Sequence, residues 1–124
     1  MLHHLSLGVA SLERAAAFYD AVLSELGYAR VWTDATAIGY GLAGGGDELA
    51  IKLAGTDAIV PEPRFHVAFA APSREAVAHF HAAALSHGGR DNGAPGLRPA
   101  YGKDYYAAFV FDPDGHPIEA VINR

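Results

Sequence analysis

The 124-residue chain contains no cysteine. That absence excludes a disulfide framework, a thiolate nucleophile and any cysteine-ligated zinc or iron–sulfur centre, so nucleophiles and metal ligands must come from His, Asp, Glu, Ser and Tyr. Basic residues are scarce, 9 Lys+Arg against 14 Asp+Glu for a net charge of −5. No cationic stripe is available to neutralise phosphates, and a nucleic-acid partner is not expected. Apolar runs break within about ten residues, short of the roughly 20 needed to span a bilayer, and no basic leader opens the chain. No membrane partner and a cytoplasmic location are therefore expected. A dinucleotide fingerprint, a phosphate loop and a nucleophile elbow are also missing. Gly44-Gly45-Gly46 runs into a strand-like segment, where a phosphate loop needs a helix. What is present is a 51% hydrophobic composition, enough for one domain to bury a core without metal or disulfide staples.

The chain repeats itself at an offset of 62 residues. Residues 4–27 laid on residues 66–89 are identical at nine of 24 positions, pairing His4 with His66, Ser11 with Ser73, Glu13 with Glu75, Phe18 with Phe80 and Gly27 with Gly89. Each copy opens with an alternating run, Leu2 to Val9 and Phe65 to Ala71, that reads as a strand. Ser11 and Ser73 suit helix N-caps, because a serine oxygen accepts from the free amides of the first turn. Glu13 and Glu75 then sit where the helix dipole favours negative charge. Gly27 and Gly88-Gly89 suit left-handed helix ends. Ala15, Phe18 and Val22, like Val77, Phe80 and Ala84, recur at helical spacing and should face a sheet.

Strand-like runs follow each helix: Tyr28 to Thr33, Ala37 to Leu42 and Glu48 to Leu53 in the first copy, Tyr105 to Asp112 and Pro117 to Asn123 in the second. The Gly- and Pro-rich stretch Asp91 to Ala100 reads as a long loop with a poor strand. Asp112-Pro113-Asp114-Gly115 has the chemistry of a tight turn, and His116 beside it is expected to face water. The expectation is an α+β domain of two tandem βαβββ modules, residues 1–53 and 64–124, joined by a linker at 54–63.

Alternation along the strands sorts the side chains. Leu5, Leu7 and Val9, then Val67, Phe69 and Ala71, then Ile118, Ala120 and Ile122 form apolar sets that should meet the helices. His4, His66 and Glu119 are left on the opposite face. Two imidazoles and a carboxylate there are suitable ligands for Zn, Ni, Mn or Fe(II).

The pattern His4-Leu-Ser-Leu with Phe18-Tyr19 and Leu26-Gly27, then His66-Val-Ala-Phe and Asp112-Pro-Asp-Gly-His-Pro-Ile-Glu119, resembles the glyoxalase/bleomycin-resistance/dioxygenase family, the vicinal oxygen chelate superfamily. The resemblance implies paired modules curled into a half-open, barrel-like mixed sheet with helices outside. It also implies metal ligands on the first and last strands of each module, which carries onto His4, His66 and Glu119, the metal acting as a Lewis acid on two neighbouring substrate oxygens. At the fourth ligand position the alignment favours Ala50, which cannot bind metal, while a two-residue slip either way substitutes Glu48 or Lys52.

The expected function is a metal-dependent lyase, isomerase or dioxygenase acting on a small oxygen-rich molecule, with Glu119 as ligand and proton carrier. Tyr106 would orient substrate if Phe109 and Phe111 pack on the helices, and Lys52 and Arg98 would bind an anionic group. The alternatives are a metal-free drug- or metabolite-binding protein of the bleomycin-resistance type and a module without catalysis. Open strand edges and one bare sheet face predict a homodimer.

Overall fold

A computed structural model describes residues 1–59, 62 and 64–124. The described elements run β1 (Leu5–Val9), α1 (Leu12–Ser24), β2 (Ala29–Thr33), β3 (Ala37–Gly41), β4 (Leu49–Leu53), β5 (Val67–Ala70), α2 (Arg74–Ser86), β6 (Arg90–Leu97), β7 (Tyr105–Phe111) and β8 (Pro117–Asn123). A single 3-10 turn, Gly55–Asp57, follows β4. Of the expected linker, Val60, Pro61 and Pro63 lie outside the described residues.

The two modules build separate four-stranded mixed sheets of the same order, β1-β4-β3-β2 and β5-β8-β7-β6. In each, the first and last strands pair in parallel and the others antiparallel. The sheets do not close on each other, in keeping with the expected α+β duplication. Both serine caps form: Ser11 Oγ accepts from the Arg14 amide at 3.2 Å and Ser73 Oγ from the Ala76 amide at 3.0 Å. Gly27 and Gly88 sit at φ values of 90° and 91°, the left-handed region that ends each helix.

At β6 the expectation of a long loop with a poor strand is met in part: the strand is longer than expected, and it is irregular. Residues 90–97 are strand despite Gly93, Pro95 and Gly96, with the register to β7 slipping on either side of Gly93. An edge strand tolerates this, because a bulge absorbs the glycines and a proline needs no partner on the outer side.

Both helices pack on the same side and on each other, so Phe18, Val22, Val77 and Phe80 share one core with Leu7, Val9, Ile51, Ile118 and Ala120. The turn between β7 and β8 locks the modules together. Tyr19 on α1 donates to Asp112 Oδ2 at 2.6 Å, while the Ala10 amide and Arg14 Nη2 donate to Asp114 Oδ1 at 2.9 and 3.0 Å. His116 Nε2 donates to the Gly8 carbonyl at 2.8 Å and is only 3% exposed. The expectation that His116 faces water is thus corrected: the turn is capped by the other module, a contact with no local signature. Burial pushes the Asp112 carboxyl up, against the lowering effect of the Tyr19 hydroxyl and His116.

Candidate functional site on the open sheet face

Strand pairing turns the two modules into a like-for-like comparison. Across module one the same rung carries Ser6, Ala50, Gly39 and Trp32; across module two it carries Ala68, Glu119, Phe109 and Gly93. Ser6 and Ala68 are 62 residues apart, so Ala50 is the counterpart of Glu119, and the slips to Glu48 or Lys52 are not the ones the register adopts. Lys52 is exposed and pairs with Gly8, one rung pair further along.

Glu119 is 1% exposed, yet it points away from the helices. Both of its oxygens are engaged. Tyr105 O–H donates to Oε1 at 2.5 Å, and His66 Nε2 donates to Oε2 at 3.0 Å. Burial and the hydrogen bond to this carboxylate push the Tyr105 hydroxyl up to about 12, so it stays protonated as a donor at neutral pH. The His66 side chain is 47% exposed and its Nδ1 has no partner among the described residues. A buried carboxylate therefore reaches solvent through an imidazole. Phe109 lies beside His66 with ring centroids 6.3 Å apart, and the Arg98 guanidinium sits 5.4 Å from the centre of the Phe109 ring. Tyr101 meets Tyr105 edge-on at 5.4 Å.

Of the residues singled out from sequence, His66, Glu119 and Arg98 come together here, and Tyr106 does not. Tyr106 packs against the core on the helix side, with the Arg74 guanidinium 5.2 Å over its ring. The reason is parity: Ala108 and Val110 face the helices and Phe109 does not, so Tyr105 takes the place expected for Tyr106. The signal was available in the hairpin. Counting outward from its turn, Phe111 pairs with Pro117 and Phe109 with Glu119, which sets Tyr105 on the same side as Glu119.

His4 lies elsewhere in the chain. With His3, Glu48, Tyr28 and Tyr40 it lines a cleft of about 290 Å³ between β1 and β5, which neither His66 nor Glu119 lines. Its Nδ1 is 2.8 Å from His3 Nδ1. Among the described residues no three His, Asp or Glu side chains converge as a metal-holding group. Within one chain the donors on the open face are His66 and Glu119, already hydrogen-bonded to each other, with alanine at the matching position 50. That set does not fit a metal centre.

Module one presents a different surface. The Trp32 ring lies on Gly39, where an added Cβ would fall 2.2 Å from the indole nitrogen. The indole N–H, with His4 and His3 nearby, holds the Asp47 carboxyl below its usual range.

The family profile described as Glyoxalase/Bleomycin resistance protein/Dioxygenase superfamily matches residues 1–120. The chain belongs to this superfamily. A solved glyoxalase/bleomycin resistance protein from Albidiferax ferrireducens T118 is 32% identical, with a TM-score of 0.80 over 95% of this chain and 94% of that one. Two more distant structures share the fold. A glyoxalase-related enzyme from Fulvimarina pelagi is 24% identical, TM-score 0.75, over 99% and 88% of the two chains. A family enzyme from Burkholderia phytofirmans PsJN is 15% identical, TM-score 0.75, over 99% and 98%. No curated protein matches this chain. Superfamily membership accounts for the duplicated open sheets, and no described helix is long and apolar enough to cross a membrane.

Proposed function

We propose that the chain binds a small oxygen-rich molecule on the open face of module two and moves a proton there, as an isomerase or lyase. The observation that carries this reading is the hydrogen-bonded series Tyr105–Glu119–His66, buried at its centre and open at the imidazole end. With Nε2–H committed to Glu119, the neutral imidazole has its lone pair on Nδ1. A proton taken there leaves an imidazolium held by the Glu119 carboxylate, while Tyr105 keeps that carboxylate in place. His66 is then the catalytic base and Glu119 and Tyr105 are positioning residues. Arg98, held on Phe109, supplies positive charge for an oxyanion or carboxylate on the ligand.

The metal-dependent form of the reaction, with His4, His66 and Glu119 as ligands, needs His4 from outside this group. A cytoplasmic homodimer in which a second copy covers the open face would supply it, and the bare sheet faces and free edges support such a dimer. Metal-free binding without chemistry is the second reading, favoured by the aromatic surface of Trp32 on Gly39 and by alanine at position 50.

The test is solvent deuterium incorporation into a panel of small hydroxy-carbonyl and keto-acid compounds, followed by NMR with chelator-treated protein and with added Zn or Ni. Exchange by the chelated wild type, lost about 100-fold in His66→Ala, is expected. Exchange that requires added metal would replace this reading with the metal-dependent one. Thermal stabilisation by a ligand with no exchange under either condition would leave the binding protein.

A further inference from the structure

Gly8 and Ala70 hold the same place in the two modules, 62 residues apart. Each carbonyl accepts from a side chain of the other module: His116 Nε2–H donates to the Gly8 oxygen at 2.8 Å, and Tyr28 O–H donates to the Ala70 oxygen at 3.1 Å. Beyond these matching bonds the two ends of the junction differ. At Gly8 the β7–β8 turn also brings Asp112 and Asp114 onto Tyr19, Arg14 and the Ala10 amide. With Ala50 as the counterpart of Glu119, the turn between β3 and β4 offers Ala43 and Gly45 where the other offers Asp112 and Asp114. Module two in turn has His81, Ala76 and Pro72 in place of Tyr19, Arg14 and Ala10. Alanine and glycine side chains carry no acceptor, and proline has no N–H to donate. The turn that fills one end therefore has no equivalent at the other.

What lies at the Ala70 end is the cleft of about 290 Å³, lined by Tyr28 and Ala70 themselves. Its apolar wall joins Leu23 and Leu49 of module one to Val67 and Phe69 of module two, and the first three of these are buried. The volume falls at the lower end of small-molecule sites, about 300–1,000 Å³. At the rim, Glu48 is exposed and makes no ion pair among the described residues. Burial and the Glu48 charge push the Tyr28 hydroxyl up, so it keeps the proton it donates to Ala70. His3 and His4, the other titratable groups of the rim, meet each other through Nδ1. No Lys or Arg lines the cleft among the described residues, and the chain carries a net charge of −5. An anion finds no fixed positive charge there. An ammonium can donate to the Glu48 carboxylate and to the Tyr28 oxygen, whose own proton is committed to Ala70.

We propose that this cleft binds a small amine, with its apolar body between Leu23, Leu49, Val67 and Phe69 and its ammonium on Glu48. The site is independent of the chemistry on the open face, because His66, Glu119 and Tyr105 do not line it.

Three probes alike in apolar body and different in charge test it: 2-phenylethylamine, 2-phenylethanol and 3-phenylpropionate, each titrated into the wild-type protein with amide and methyl NMR shifts as the reading. The amine is expected to bind about fivefold more tightly than the alcohol, with shifts at Leu23, Val67 and Phe69, and the acid more weakly than either. Glu48→Gln, a change at an exposed side chain that leaves the core intact, should erase the advantage of the amine and leave the affinity for the alcohol as it was. His66→Ala should alter none of these affinities. Equal binding of amine and alcohol by the wild type would overturn the proposal, as would amine shifts centred on Tyr105 and Phe109 of the open face. The absence of any shift at millimolar amine rejects the site as well. None of these outcomes bears on the deuterium exchange assigned to His66.

Discussion

Module one and module two place four residues on the same rung, Ser6–Ala50–Gly39–Trp32 in one and Ala68–Glu119–Phe109–Gly93 in the other. The backbone pairing is duplicated along this rung, and the side chains are not. Each rung keeps an aromatic ring against a glycine on the neighbouring strand, but the two have exchanged places: Trp32 on β2 covers Gly39 on β3, while Phe109 on β7 faces Gly93 on β6. His66 has its counterpart in His4, but the carboxylate of Glu119 is matched by Ala50 and stands on one side only. Duplication preserves shape because every strand partner depends on it, whereas a site needs its chemistry just once.

The comparison is broken most severely by Glu119→Ala, which gives module two the residue that module one carries. Loss of about 100-fold or more in exchange or ligand affinity is expected, since the substitution removes the shared partner of His66 and Tyr105. Titration of the retained ligand response by calorimetry checks it. Next in size is Gly39→Ala. The new methyl group must displace the Trp32 indole or the strand beneath it, at about 1–3 kcal/mol in denaturant unfolding. Trp32 is the only tryptophan, so its fluorescence reports directly whether the ring has moved.

The contact between modules is probed by Tyr19→Phe, which strips a donor from the buried Asp112. The expected loss is about 1–2 kcal/mol, and unfolding should remain a single transition if both modules share one core. A smaller effect separates the helices. Partial burial raises the Asp20 carboxyl while hydrogen bonds from Arg30 and Tyr40 lower it, and the bonds win. Its folded value lies below the ordinary aspartate value of about 3.9, so its contribution is present above that pH and is lost as pH falls through the folded value. Module two has Ala82 at the matching position. Asp20→Asn should therefore lower Tm at pH 7, and the gap to wild type should close on acidification. Smallest of all is Tyr106→Phe, expected within about 0.5 kcal/mol and without effect on exchange, whereas Tyr105→Phe should reduce exchange about tenfold.

The duplication was legible because its markers are local: a serine cap, an acidic first turn and a glycine stop recur at one spacing. The alignment favours Ala50 at the fourth position but leaves Glu48 and Lys52 open, since the three share one strand face and the pairing of Ser6 with Ala50 is what separates them. Tyr105 and Tyr106 were confused because the run Tyr105 to Phe111 is apolar on both faces, and alternation carries no signal in such a run. His66 with Glu119 could be placed by counting along strands. His4 shares their strand face in its own module but is 62 residues from His66 in a second sheet, and alternation says nothing of distance between sheets. The burial of His116 depends on Gly8, more than 100 residues earlier, which no window of sequence contains.

That last contact makes the start of the chain depend on its end. The amide of Ala10, ahead of helix α1, and the carbonyl of Gly8 find their partners only in Asp114 and His116, at separations of 104 and 108 residues. Contacts this distant carry a higher loop-closure cost than local ones. The entrance to the first helix is thus completed by the last hairpin, where Tyr19 and Arg14 of that helix also find their acceptors.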